Sequence, residues 1–189
     1  AMLHPIAHIE LNAIDLAWDI VLRFGENMPK EFIDDWVKVA DDEARHFKLL
    51  NDLLIEMDSY YGALPAHDGL WQSAETTAHD LVARLAIVPL VLEARGLDVT
   101  PVLINKFKGA GDEKSVAALE LIYREEIDHV RAGQKWFNYM CEKNCVNPQE
   151  TYQALVQKYF TGSLKPPFNK EARDAAGFEE NYYLPLVTA

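Results

Sequence analysis

Two stretches decide the fold: Glu43-Ala44-Arg45-His46 and Glu126-Ile127-Asp128-His129, each preceded by one further glutamate, Glu10 and Glu93, at the same distance of 33 residues. With sixteen Glu and six His in 189 residues, about half of one Glu-x-x-His would arise by accident, so a single pair carries little weight. Two pairs with an upstream Glu at identical spacing carry much more. On an α-helix residues three apart share a face, so Glu43 with His46, and Glu126 with His129, can each aim two ligands at one point. If each helix folds back on a neighbour carrying one more Glu, four carboxylates and two imidazoles meet at a common centre. That is the ligand set of a dinuclear metal site in a four-helix bundle.

Turn signals sit where this geometry needs them. Phe24-Gly25-Glu26-Asn27-Met28-Pro29 lies midway between Glu10 and Glu43, and Gly109-Ala110-Gly111-Asp112 midway between Glu93 and Glu126. Glycine and proline break helices at such places. About 15 residues run down to each turn and about 15 return, at about 1.5 Å each, so the paired ligands come back to one level. Each hairpin is then half a site.

The periodicity predicts helix 1 over about residues 5–23 and helix 2 over about 29–58, opened by Pro5 and Pro29 in the first turn that suits proline. Ile6, Ile9, Ala13, Leu16, Ala17 and Ile20 form an apolar stripe around Glu10, and Trp36, Val39, Ala40, Phe47 and Leu50 surround Glu43 and His46. Carboxylates on the apolar side of a helix need a partner. Residues 59–70 form a linker. Twelve extended residues span only about 40 Å, barely the length of a bundle, so part of 71–79 belongs to the crossover. Helix 3 then runs to about 108, disturbed at Pro89 and from Gly96 to Pro101, where proline removes an internal hydrogen bond and bends the helix near Glu93. Helix 4 covers about 112–143, with Asp112 as N-cap beside Ser115, and Leu119, Ile122, Tyr123, Val130, Gly133 and Phe137 facing inward. The core bundle thus occupies about 5–143. The extension 144–189 holds a helix near 148–160 and then an aromatic stretch with Pro166-Pro167-Phe168, too apolar for a solvated tail and expected to wrap the bundle.

Composition fits one soluble domain. The hydrophobic fraction is 49%, no stretch approaches the length of a membrane span, and the start lacks a signal peptide's basic and apolar segments, so a cytoplasmic location is expected. A formal net charge of −12, from 18 basic and 30 acidic residues, argues against nucleic acid as the main partner. Carboxylates packed at one centre without metal could not all stay ionised.

The order Glu, Glu-x-x-His, Glu, Glu-x-x-His resembles the ferritin-like superfamily, which includes bacterioferritins, rubrerythrins, ribonucleotide reductase small subunits and a di-iron tRNA hydroxylase. More narrowly, His8-Ile9-Glu10-Leu11, Glu43-Ala44-Arg45-His46-Phe47, Leu64-Pro65-Ala66-His67-Asp68, Glu93-Ala94-Arg95-Gly96-Leu97-Asp98 and Pro166-Pro167-Phe168-Asn169 resemble a bacterial family of ferritin-like proteins named only as a domain of unknown function. The resemblance covers nearly the whole chain. It implies an all-α ferritin-like four-helix bundle with a crossover link, and a metal site, but no substrate.

The metal set is therefore Glu10, Glu43, His46, Glu93, Glu126 and His129. Carboxylate and imidazole donors favour two Fe ions, or Mn, or a mixed pair. Glu43 and Glu126, each sharing a helix with a histidine, are assigned as bridging ligands, Glu10 and Glu93 as terminal ones, and His46 and His129 as ligands to one metal each. Such a centre suits an oxidoreductase that uses O2 or peroxide on a small molecule, fed by an unidentified electron donor. Iron handling by ferroxidase turnover, or peroxide detoxification, is the alternative. Hydroxylation of tRNA is a weaker one, set back by the acidity. Bundles of this kind often pair through exposed faces, so a homodimer is compatible with the chain.

Other groups carry less. Tyr123, one turn before Glu126, is favoured as core packing over a role beside the metals. His8 is favoured as a surface or supporting histidine, His67 as a loop hydrogen-bonder, His79 as too distant to be a ligand, and His4 as uninformative. Asp128, Arg45, Arg84 and Arg95 are balanced between orienting ligands and pairing at the surface. Cys141 and Cys145 read as reduced thiols, lacking the further ligands a zinc or iron–sulfur site needs.

Overall fold

The computed structural model describes residues 2–187, and every regular element among them is helical. In chain order these are α1 (Leu3–Phe24), a 3-10 turn (Gly25–Asn27), α2 (Lys30–Glu56), α3 (Gly69–Thr76), α4 (Leu81–Ile87), a π-helical segment (Val88–Glu93), α5 (Ala94–Gly109), α6 (Glu113–Lys143), α7 (Pro148–Tyr159), α8 (Lys170–Ala175), α9 (Glu180–Tyr183) and a second 3-10 turn (Leu184–Leu186). Among the described residues no helix is long and apolar enough to cross a membrane. The chain divides into two compact units, Ala1–Gln72 with Ile104–Ile122, and Ser73–Leu103 with Tyr123–Ala189.

In the first unit α1 and α2 form the hairpin that the turn signals predict. Leu3, Ala7, Ala13, Leu16 and Ile20 of α1 are buried, as are Phe32, Trp36, Val39, Leu50 and Leu54 of α2. Each large aliphatic or aromatic side chain so buried contributes about 1.5–3 kcal/mol. Helix α1 begins two residues before Pro5. Pro29 stands at the N-cap of α2, outside the first turn where the sequence placed it, with extended ψ of 153°. At its other end α2 closes through Asp58 in the left-handed region (φ 54°), with the Ser59 N–H donating to Leu54 O at 2.9 Å. That bond returns an end carbonyl of the helix to a partner. Gly111 (φ 71°) closes α5 in the same way, the Asp112 N–H reaching Phe107 O at 3.1 Å. Asp112 then caps α6 as expected, accepting from the Ser115 N–H at 3.0 Å and from its hydroxyl at 2.6 Å.

The linker is tied to α1 by histidines. Buried His4 accepts the Gly62 N–H through Nε2 at 3.0 Å and stacks on Tyr61. His8 Nε2 donates to His67 O at 2.7 Å while its Nδ1 lies 2.9 Å from the Tyr61 hydroxyl. This assigns His8 to the linker and gives His4 a structural task the sequence did not reveal.

In the second unit the helical chain is interrupted within 71–79, the stretch expected to belong in part to the crossover. The chain breaks after Thr76 and restarts at Asp80, whose extended backbone and side chain cap α4 by accepting from the Val82 and Ala83 N–H groups at 2.8 and 3.1 Å. Arg84, 1% exposed, holds the break together: Nε donates to the Thr77 hydroxyl and Nη2 to Ala74 O, at 2.9 and 2.6 Å. Pro89 opens the π-helical segment, so the disturbance falls where the sequence placed it; Gly96 and Pro101 instead lie within an unbroken α5.

The extension is ordered as helices α7 to α9. Tyr152, Phe178 and Tyr183 have no exposed surface and pack edge to face or tilted on one another, Tyr152 and Phe178 at 5.3 Å between ring centres and Phe178 and Tyr183 also at 5.3 Å. Buried Arg173 sits among Phe168, Phe178 and Tyr183 and makes a two-point ion pair with Asp98 of α5, at 2.9 and 2.7 Å. An Arg–carboxylate fork removed from water survives only with such complementary geometry.

Candidate metal centre

Glu10 projects from α1 between Ala7 and Ala13, one turn to either side, and these alanines leave room beside a carboxylate that is 4% exposed. On α2, Glu43 and His46 share one face with Val39, Ala40 and Leu50, and are 1% and 0% exposed. His46 Nδ1 lies 3.1 Å from Glu10 Oε2 and 3.5 Å from Glu43 Oε2. Ligand atoms of these three residues all fall within 4.8 Å of one another. Burial lowers the pKa of His46, but its hydrogen bonds to the Glu10 and Glu43 carboxylates and their charges outweigh this and raise it to about 10. In metal-free protein the imidazole therefore keeps a proton at neutral pH, where a divalent cation could otherwise sit.

The second unit holds the other three residues. His129 is 1% and Glu126 9% exposed, one turn apart on α6, with His129 Nδ1 3.5 Å from Glu126 Oε1. Glu93, half-buried, is the last residue of the π-helical segment. There the Ala94 N–H donates to Pro89 O, five residues back. A π turn adds one residue to a helical turn and is frequent at functional sites.

Gly133 of α6 explains how the segment is accommodated. A Cβ on Gly133 would lie 2.4 Å from Pro89 Cβ and 2.6 Å from its Cγ. Only glycine lets the α6 backbone pass the proline ring this closely.

The remaining candidates separate. Asp128 pairs with Arg131 at the surface. Arg45 pairs with Asp42, as does Lys38 at 2.5 Å, so Asp42, 3% exposed beside Glu43, is held by two cations. Arg95 donates to Lys165 O at 2.7 Å and approaches Asp98 at 3.4 Å. His67 accepts the Gly69 N–H at 3.2 Å, and exposed His79 lies 3.1 Å from the Tyr159 hydroxyl. Tyr123 is half-buried, and its hydroxyl accepts from Asn169 Nδ2 at 2.7 Å. Cys141 is buried and Cys145 exposed, both as free thiols.

Sequence reasoning passed over Asp42 and Arg173, and met Asp98 and Asn169 only as members of family-like motifs, with no role. An arginine set among Phe168, Phe178 and Tyr183 was a usable signal, because a cation in an aromatic stretch is seldom left in water.

The donors fit a hard or borderline divalent metal: carboxylate oxygens and imidazole nitrogens, with no thiolate. Buried in the first unit, two carboxylates around one imidazole need positive charge, which a proton on His46 or a metal ion supplies. The chain matches, over residues 1–184, the family described as "Protein of unknown function (DUF455)", and belongs to it. It is 43% identical over 187 residues to an "Uncharacterized protein" of Haemophilus influenzae, an alignment covering 96% of this chain and 65% of that relative. The chain thus spans about two-thirds of the relative's length. No solved structure matches it.

Proposed function

We propose that this protein is a dinuclear non-haem metal carboxylate protein of the ferritin-like four-helix-bundle class, acting as an oxidoreductase on a small molecule. Glu10, Glu43 and His46 would supply one half of the ligand set and Glu93, Glu126 and His129 the other. The observation that carries this is the convergence of Glu10, Glu43 and His46, all buried, within 4.8 Å in the first unit. The same residue types recur at the same spacing in the second. Two iron or manganese ions, when bound, would supply two-electron chemistry with O2 or peroxide. The chain's own part is to hold the ligands and exclude water: alanines beside Glu10 make room, and Val39 and Leu50 shield Glu43 and His46.

Elemental analysis of protein purified without chelator, beside Glu43→Ala and His129→Ala, tests this. About two Fe or Mn per chain, lost in both variants, is the expected result. No metal in folded wild-type protein refutes the proposal. A large iron-filled shell would instead favour iron storage.

A further inference from the structure

Helix α5 and the π-helical segment before it are short of internal hydrogen bonds at two places around Glu93. At the first, the Ala94 N–H turns to Pro89 O rather than to Leu90 O. At the second, Pro101 has no N–H, so Leu97 O loses the donor a helix would give it. Both carbonyls are met by side chains from the C-terminal extension. The Tyr152 hydroxyl donates to Leu90 O at 3.3 Å, and Asn169 Nδ2 to Leu97 O at 3.1 Å. Between them Arg173 Nη2 reaches Ala94 O at 3.3 Å. Residues 90, 94 and 97 follow the four- and three-residue steps of one helix face. The extension therefore grips a single face of this stretch on both sides of Glu93. Asn169 also donates to Tyr123, one turn before Glu126, and its backbone N–H to Asp98.

We infer that the C-terminal extension is a positioning element for the second unit's ligands: Tyr152, Asn169 and Arg173 fix the backbone that carries Glu93. This rests on the proposed metal function and adds to it that one half of the ligand set depends on residues far from it in sequence. None of the three is a ligand. They act through backbone carbonyls, so their loss should loosen Glu93 before it unfolds the chain.

Arg173 is a poor first probe, since its removal strands Asp98 and disturbs the fold at large. Tyr152→Phe and Asn169→Ser, alone and combined, are milder: the first keeps the ring, the second keeps a side-chain oxygen to cap α8. Tyr159→Phe is the control, removing a hydroxyl of the same helix α7 that lies against His79 instead. Two readouts are taken on protein shown by circular dichroism to be folded. In metal-free protein, hydrogen exchange of residues 88–98 should quicken at least tenfold in the double variant, with α1 and α2 unchanged. In titrations with Mn(II) alone, followed by the signal of the free ion, wild type and Tyr159→Phe should bind two ions. The double variant should keep one at wild-type affinity and weaken the other at least tenfold. Two ions bound as in wild type, or both weakened equally, overturn the inference while leaving the metal function standing. No ion bound by wild type overturns the metal function, and unchanged exchange at 88–98 then overturns the positioning role by itself.

Discussion

Gly133→Ala is the sharpest test of how α6 and the π-helical segment are fitted together. In an exposed helix the exchange would stabilise by about 1 kcal/mol, because alanine loses less backbone freedom on folding. Here the new Cβ would stand 2.4 Å from Pro89 Cβ, against ordinary contact beginning near 3.4 Å, so one backbone must retreat by about 1 Å. Pro89 is a rigid ring in a helix whose neighbours Val88 and Leu90 are 4% and 0% exposed, and it has nowhere to rotate. Forcing a methyl into such packing costs about 1–3 kcal/mol, and the clash outweighs the propensity gain. Less the gain of about 1 kcal/mol, the expected net loss is about 0–2 kcal/mol, or a fall in Tm of up to about 8 °C at this chain length. Gly96→Ala supplies the control within the same unit: nothing lies within 4 Å of its added Cβ, and it should raise Tm by about 2–4 °C. Thermal melts of both variants decide the matter. A Gly133→Ala protein whose Tm rises above wild type as that of Gly96→Ala does would refute the close approach of α6 to Pro89.

Arg173→Met should lower stability by about 3–5 kcal/mol in chemical unfolding, since it leaves the buried Asp98 carboxylate with only the more distant Arg95, at 3.4 Å, for a cation; a variant within about 1 kcal/mol of wild type would contradict the buried pair. Burial pushes the Cys141 thiol up to about 11 while Cys145 is exposed, so Ellman's reagent at pH 8 should count one thiol in native protein and two after denaturation. His46, raised from 6.5 to about 10 in metal-free protein, stabilises that form fully below about 6.5 and loses the effect as pH rises through about 10. Metal binding at pH 7 should therefore release a proton, and affinity should climb with pH; calorimetry in buffers of different ionisation heat measures it, and no proton release would count against His46 as a ligand.

The meeting of Glu10, Glu43 and His46 in the first unit was legible because everything that brings them together is local or nearly so. Glu43 and His46 are one helical turn apart, and the turn at Gly25–Pro29 sends Glu10 back to their level. The cap at Asp112 was legible for the same reason. What escaped was decided by partners distant in sequence. The reach of the linker put part of 71–79 in the crossover, but nothing near Thr77 shows what locks the break there, since the carbonyl of Ala74 is met by Arg84, ten residues on. Arg173 and Asp98 are separated by 75 positions. His4 gave no signal at all, because its acceptor role exists only once the linker at Gly62 folds over it.

The ligand pattern repeats, but its support does not, and this difference has a chemical consequence. Glu10 stands in a regular α-helix among alanines, with carbonyls satisfied along its own chain direction. Glu93 ends a π-helical segment between two prolines, on a stretch that borrows hydrogen bonds from Tyr152, Arg173 and Asn169. A ligand held by regular helix moves only if the helix does. One held at a π turn can shift when a single borrowed bond is broken, because annealing the extra residue would rotate the downstream helix by about 100°. Under the proposed function the two units' groups of ligands would therefore differ in stiffness. The second unit's group is the one expected to respond to substrate or to oxidation, and the one whose ion should leave first on dilution with chelator.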